Sequence, residues 1–261
     1  MRYFNLTCLL YKHNIRYLTK MPSDKNTKEV KDPEITLTKE YYLNLTPNNK
    51  RKFYKCKNEY VEPKSLISWA ELDLPDTNDK INSHYKIFPE INSKIYIYKG
   101  DITTLEIDCI VNAANKSLTG GGGVDGAIHL AAGPDLKSEC LLLGGCEMGD
   151  AKITGGYNLP AKYVIHTVGP IGENPQKLAQ CYQNCLNLMR SKNLKSIAFP
   201  CISTGVYGYP NENACQIALN TVRLWLETDR GYMDVDNVIF CLFLQIDFDA
   251  YYKYMPAYFP K

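Results

Sequence analysis

Four consecutive glycines, Gly120, Gly121, Gly122 and Gly123, run into Val124, Asp125 and Gly126, and Asn115 stands just upstream of them. Glycines in that number leave no side chain between backbone N–H groups and a ligand, and they tolerate the positive φ values such a loop needs. A helix opening near Val124, with Ala127, Ile128, Ala131 and Ala132 on its buried face, would aim its N-terminal dipole at whatever fills the loop. The unit therefore reads as an anion site bracketed by an amide and a carboxylate. A glycine run can also be a flexible linker, but a strand expected before it and a helix after it favour the site. It lacks the Gly-x-Gly-x-x-Gly spacing with a later acid, and no Gly-Lys-Ser/Thr closes it, which disfavours a dinucleotide oxidoreductase and an NTPase. His129 lies one helical turn beyond Asp125. That spacing invites a base assignment, although a histidine supporting the loop or helix is the reading we prefer; His166, inside a strand, reads as packed.

These residues need a scaffold, and after Lys94 the sequence alternates strand-length apolar runs with helical stripes, as a layered α/β domain does. The runs fall at 95–98, 107–111, 163–168, 196–202 and 238–244. Several are apolar throughout, as a sheet covered on both faces requires. Leu178, Cys181, Tyr182, Cys185, Leu186 and Met189 recur at three and four residues and predict one buried helix face. Ala214, Ile217, Ala218, Val222 and Trp225 form a second stripe, and a third helix is expected from about Asp247. Ahead of this unit, assigned to 87–261, residues 38–86 mix aromatics such as Tyr41, Tyr42, Phe53 and Trp69 with many charges, which predicts a helical extension and connector packed on the main domain.

Residues 1–37 read as a flexible N-terminus. Arg2, Lys12, Arg16 and Lys20 precede any acid, with apolar residues interleaved, a composition that fits a mitochondrial transit peptide or simply a basic terminus with Met21 as an alternative start. The net charge of +2 gives no electrostatic footprint for nucleic acid, and no stretch approaches the roughly 18 apolar residues of a membrane span. Ten cysteines are scattered with no Cys-x-x-Cys pair, so we read them as reduced thiols of an intracellular protein, mitochondrial or nuclear and cytoplasmic. No metal or cofactor is expected.

Five motifs in order carry a resemblance: Gly-Asp-Ile-Thr at 100–103, Asn-Ala-Ala-Asn at 112–115, the glycine run ending at Gly126, Tyr-Val-Ile-His-Thr-Val-Gly-Pro at 163–170, and Pro-Cys-Ile-Ser-Thr-Gly-Val-Tyr-Gly-Tyr-Pro at 200–210. From about Leu66 onward the chain resembles the macrodomain family, in particular its MacroD-type branch. The resemblance implies a three-layer α/β/α sandwich with a mixed, mostly parallel sheet and a cleft for ADP-ribose. By the same resemblance Asp101 accepts from the adenine amine with the Ile102 backbone beside it, and Phe243 packs on the adenosine. Gly121, Gly122, Gly123 and Val124 on one side, and Ser203, Thr204, Gly205, Val206 and Tyr207 on the other, clamp the diphosphate with backbone N–H groups. Tyr207 would also cover the distal ribose. Asn115 orients that ribose, Asn112 shapes the loop, and Asp125 sits near the anomeric carbon, where a carboxylate can activate a water or stabilise developing positive charge. A substrate phosphate could hold the water instead, with Asp125 positioning. The implied activity is removal of mono-ADP-ribose from acidic residues of modified proteins and deacetylation of O-acetyl-ADP-ribose, by a monomer; the alternative is a non-catalytic reader of ADP-ribosylated proteins.

Overall fold

A computed structural model describes residues 38–73 and 82–261, together with the backbone of 15–16 and 36–37, which pair antiparallel. The sheet is built from β1 (Ile95–Lys99), β2 (Cys109–Ala113), β3 (Ala151–Gly155), β4 (Tyr163–Thr167), β5 (Ser196–Phe199) and β6 (Asn237–Leu242), in the spatial order β1-β6-β5-β2-β4-β3. All neighbours are parallel except β3, which pairs antiparallel with β4 at one edge.

Both faces are covered, and the strands show it by alternation. Cys109, Val111, Ile197, Phe199, Val238 and Phe240 point into a core shared with α6 (Pro175–Ser191), α7 (Asn211–Glu227) and α8 (Gln245–Tyr258). Ile110, Val164, Ala198, Ile239 and Cys241 point the other way, against α4 (Gly123–Ala132) and α5 (Pro134–Leu142). The molecule is thus the expected three-layer α/β/α sandwich with a mixed, mostly parallel sheet. The stripe from Leu178 to Met189 lies wholly inside the first core, with both of its cysteines.

Three predicted strands shift. The run at 107–111 becomes Cys109–Ala113, because the strand continues into Asn112 and Ala113, whose polarity and size hid it. The runs at 196–202 and 238–244 end early, at Phe199 and Leu242, where the chain leaves the sheet to line a cleft. Strand β3 and helix α5 were not foreseen from the sequence.

Residues 38–73 begin with α1 (Lys39–Leu43) and α2 (Pro47–Lys50) and lie along the main unit, which opens with α3 (Pro89–Asn92). Tyr42 packs edge-on to Tyr157. Lys50 Nζ donates to the carbonyls of Pro160 and Ala161, and Arg51 pairs with Glu106. Trp69, fully buried, donates its indole N–H to the carbonyl of Phe259 at 2.7 Å. The basic segment read as a transit peptide lies outside the described residues apart from the backbone of 15–16, as does 74–81 of the connector.

Candidate active site

Every parallel strand delivers residues to one rim. Gly100 and Asp101 follow β1, Ala113 to Asn115 close β2, Gly169 follows β4, Pro200 and Cys201 follow β5, and Phe243 and Leu244 follow β6, all lining a single cleft of about 650 Å³. Open α/β sheets place ligands at these carboxyl ends, and the volume suits a small organic ligand. Asp101, Ile102, Asn115, Gly121, Gly122, Gly123, Val124, Asp125, Ser203, Thr204, Gly205, Val206, Tyr207 and Phe243, all named from the sequence, line this same cleft. Reading the sequence missed Cys201, Cys241 and Asp247, which line it too. Asp247, buried in the first turn of α8, accepts from Asn211 Nδ2 at 2.6 Å, joining the starts of two helices; its only sequence signal was a position at a helix start.

At one end Asp101 is exposed on the turn after β1, with Oδ1 accepting from Thr103 N at 2.8 Å. Phe243 stands across the rim at 75% exposure, a large aromatic surface left open beside a carboxylate. Between the ends lie two loops. In the first, Gly123 has φ +60 and a Cβ at Gly126 would collide with the Gly121 carbonyl oxygen, so the loop can fold back on the start of α4 only with glycine at both places. Atoms added at Gly122 or Gly205 would meet open space, so both backbones face the cleft directly. In the second, Ser203 holds φ +70, a strained value of the kind found at ligand-binding turns. Its hydroxyl is buried without a hydrogen-bond partner among the described residues. Val206 at the tip is fully exposed.

The other end is buried. Asp125 is 4% exposed although the glycines beside it are open to solvent. Asn112 Nδ2 donates to its Oδ1 at 2.8 Å, and His129 Nε2 lies 3.5 Å from the same oxygen. Burial pushes the Asp125 carboxyl up, against the smaller opposing pulls of the Asn112 N–H and of His129. Burial likewise holds the His129 imidazole below its ordinary value, against the pull of Asp125. Asn115 is fixed by its own loop: Nδ2 donates to the Gly120 carbonyl and Oδ1 accepts from Ser117 Oγ, each at 2.8 Å. A Cβ at Gly121 would sit 3.2 Å from Asp125 Oδ2 and 3.5 Å from Asn115 Nδ2, so both groups converge on the loop from either side. Asn112, read as shaping the loop, reaches Asp125 itself.

The cleft thus joins an exposed carboxylate and aromatic, two loops that line it with glycine backbone, and a desolvated carboxylate beside a fixed amide. The Macro domain family model matches residues 111–218, which hold both loops and Asp125. ADP-ribose glycohydrolase MACROD2 of Mus musculus is 49% identical over 248 residues, 92% of this chain and 50% of that protein. ADP-ribose glycohydrolase MACROD1 of Rattus norvegicus is 46% identical over 228 residues, 85% of this chain and 87% of that protein. Against the MACROD2 relatives the chain spans about half their length. The crystal structure of a Trypanosoma brucei macrodomain in complex with ADP-ribose superposes with a TM-score of 0.71 at 39% identity, covering 84% of this chain and 87% of that one. Sequence, layered fold and cleft agree, and the chain belongs to the Macro domain family.

Proposed function

We propose that this chain binds ADP-ribose along the cleft and hydrolyses the ester that joins its distal ribose to aspartate or glutamate side chains of modified proteins. The adenine lies at Asp101 and Phe243, the diphosphate between the 121–124 and 203–207 loops, and the distal ribose at Asn115 and Asp125. Backbone N–H groups, rather than lysine or arginine, meet the phosphates, which suits an anionic ligand to a chain of net charge +2. The observation that carries the chemistry is the buried Asp125 carboxylate at the inner end of the cleft. Desolvation raises its proton affinity and so makes it a better acceptor for a proton from an attacking water. Its negative charge also faces the site where positive charge grows if the C1″ bond breaks. The ester of O-acetyl-ADP-ribose presents the same ribose end and is the corresponding small-molecule substrate.

The proposed reaction calls on side chains and backbone N–H groups of the chain itself and on no metal or cofactor, and it is drawn for a monomer. The scattered cysteines, without a Cys-x-x-Cys pair, support an intracellular setting, and the acid-free basic N-terminal segment is compatible with mitochondrial import beside a nuclear or cytoplasmic location. Among the described residues no helix is long and apolar enough to cross a membrane.

Release of ADP-ribose from an auto-modified acceptor, followed on a gel, tests the reading. Asp125→Ala is expected to slow release by at least about 10²-fold, the scale of losing one positioned catalytic group, while calorimetric affinity for ADP-ribose stays within about tenfold. A wild type that binds ADP-ribose yet releases none is a reader, and equal turnover by both proteins removes Asp125 from the reaction.

A further inference from the structure

Behind Asp125, away from the cleft, a line of polar groups runs through the sheet. Asn112 and His166 are register partners on β2 and β4. Asn112 Nδ2, already donating to Asp125 Oδ1, lies 3.1 Å from His166 Nδ1, and His166 Nε2 lies 2.8 Å from Thr154 Oγ1 on β3. Asn112, Thr154 and His166 are all completely buried, where an unmatched polar group costs most.

With Asp125 ionised, the hydrogen count along this line has one self-consistent solution, and it stands with Cys140 Sγ as a weaker second neighbour 3.7 Å from His166 Nε2. The Asn112 amide must present NH₂ to a carboxylate, since its oxygen there would face another acceptor. Its second amide hydrogen then points at His166 Nδ1, which must be a bare lone pair. A neutral imidazole with Nδ1 bare carries its proton on Nε2, so Thr154 Oγ1 accepts. Burial supports the neutral ring by lowering His166 to about 3. Asn112 Oδ1 has no partner among the described residues, so nothing on its own side holds the amide in place.

We propose that His166, with Nδ1 bare toward Asn112 and its Nε2 proton taken up by Thr154, is a positioning residue that locks the Asn112 amide and through it the orientation and proton affinity of the Asp125 carboxylate. A rival use of the same ring exists, because His129, Cys140 and His166 bring one metal-ligand atom each within 4.8 Å of one another. A metal on His166 Nε2 would move the ring proton to Nδ1, against the Asn112 NH₂, so the hydrogen bonds disfavour it.

The proposal rests on the role given to Asp125 above, but its primary test needs no turnover. The Asp125 carboxyl titration is followed by carbon-13 NMR in the full chain and in two variants. His166→Asn places an acceptor oxygen close to the Nδ1 position, whereas His166→Gln reaches the Nε2 position and leaves Nδ1 empty. The Asn112 N–H bond holds Asp125 down against its burial, so Asp125 should titrate as in wild type in the Asn variant. It should titrate higher by about half a unit or more in the Gln variant. In the release assay, kcat should fall about 10- to 10²-fold for His166→Gln, with ADP-ribose affinity within about threefold, the pattern of a displaced catalytic group. His166→Asn should stay within about threefold of wild type in both. Thr154→Val, which removes only the acceptor that holds the Nε2 proton and so steadies the ring, should raise the Asp125 titration in the same direction by less, and it decides the matter if a histidine variant does not fold. Asn and Gln variants that shift together, or an unmoved Asp125 in both His166→Gln and Thr154→Val, overturn the proposal. Wild type that titrates as described but releases no ADP-ribose refutes the hydrolase reading and leaves the positioning intact.

Discussion

Asp101 and Asp125 are two carboxylates on one cleft, and the fold treats them in opposite ways. Asp101 is exposed on a turn, and one of its oxygens caps that turn through Thr103 N. Asp125 is set in the first turn of a helix, almost wholly buried, with an amide behind it and a histidine beside it. A solvated carboxylate changes little on meeting a hydrogen-bond donor, which suits recognition. A desolvated one has a raised proton affinity and waits for a substrate to complete its surroundings, which suits reaction. The division of labour along the cleft follows from burial more than from residue type.

The largest effect should come from the span joining the two ends. Gly122 has φ −95 and open space around the position of a Cβ, so Gly122→Glu leaves the backbone unstrained and puts an anion where the proposed function sets the diphosphate. Calorimetry should detect no ADP-ribose binding, a loss of about 10³-fold or more given the repulsion and the lost N–H contacts, with an unchanged melting temperature. Unchanged affinity would sink the assignment of that loop. Next in size, Asp101→Ala and Phe243→Ala should each weaken ADP-ribose binding about tenfold and raise KM, with kcat within about threefold, because uniform binding is lost. A fall in kcat alone at either position would erase the distinction between the ends.

Much of this arrangement was legible in the sequence because it is local. The glycine run, Asn115 and Asp125 lie within a dozen positions, and Asp101 and Phe243 follow strands whose apolar runs could be read directly. What escaped depends on pairing between distant segments. Strand β3 is a short antiparallel edge strand that is only half-buried over Ala151 to Ile153, so it shows no continuous apolar run. Helix α5 carries Leu141 and Leu142 on its exposed side and has no clear apolar stripe. Because β3 was not foreseen, Thr154 could not be placed beside His166, and the register of β2 on β4 that sets His166 against Asn112 is invisible in either strand alone.

Titration sharpens the comparison further. In the proposed reaction Asp125 must be ionised, and burial raises its folded value above that of an ordinary aspartate. The release rate should therefore fall as pH drops through a value higher than an exposed aspartate shows, and Asp101→Ala should keep that acid limb in place. A limb that moved with Asp101 instead would contradict the assignment. The smallest expected effect is on stability. A carboxyl whose folded value is raised contributes stability below its unfolded value and loses it as pH rises through the folded one, so at pH 7 ionised Asp125 destabilises the fold. Asp125→Asn should raise the melting temperature at pH 7 by a few degrees at most, and the gain should vanish once the pH falls below the value of an unfolded aspartate. Asp101→Asn, at an exposed site, should leave it unchanged.

The central claim is that the buried end of the cleft breaks an ester. It is met most directly by offering wild-type protein a glutamate-linked and a serine-linked ADP-ribosyl acceptor side by side and measuring the ADP-ribose released from each. Release from the glutamate ester, lost in Asp125→Ala, with none from the serine linkage, is the predicted result. Intact ADP-ribose binding with no release from the glutamate ester, or equal release from both linkages, would contradict it.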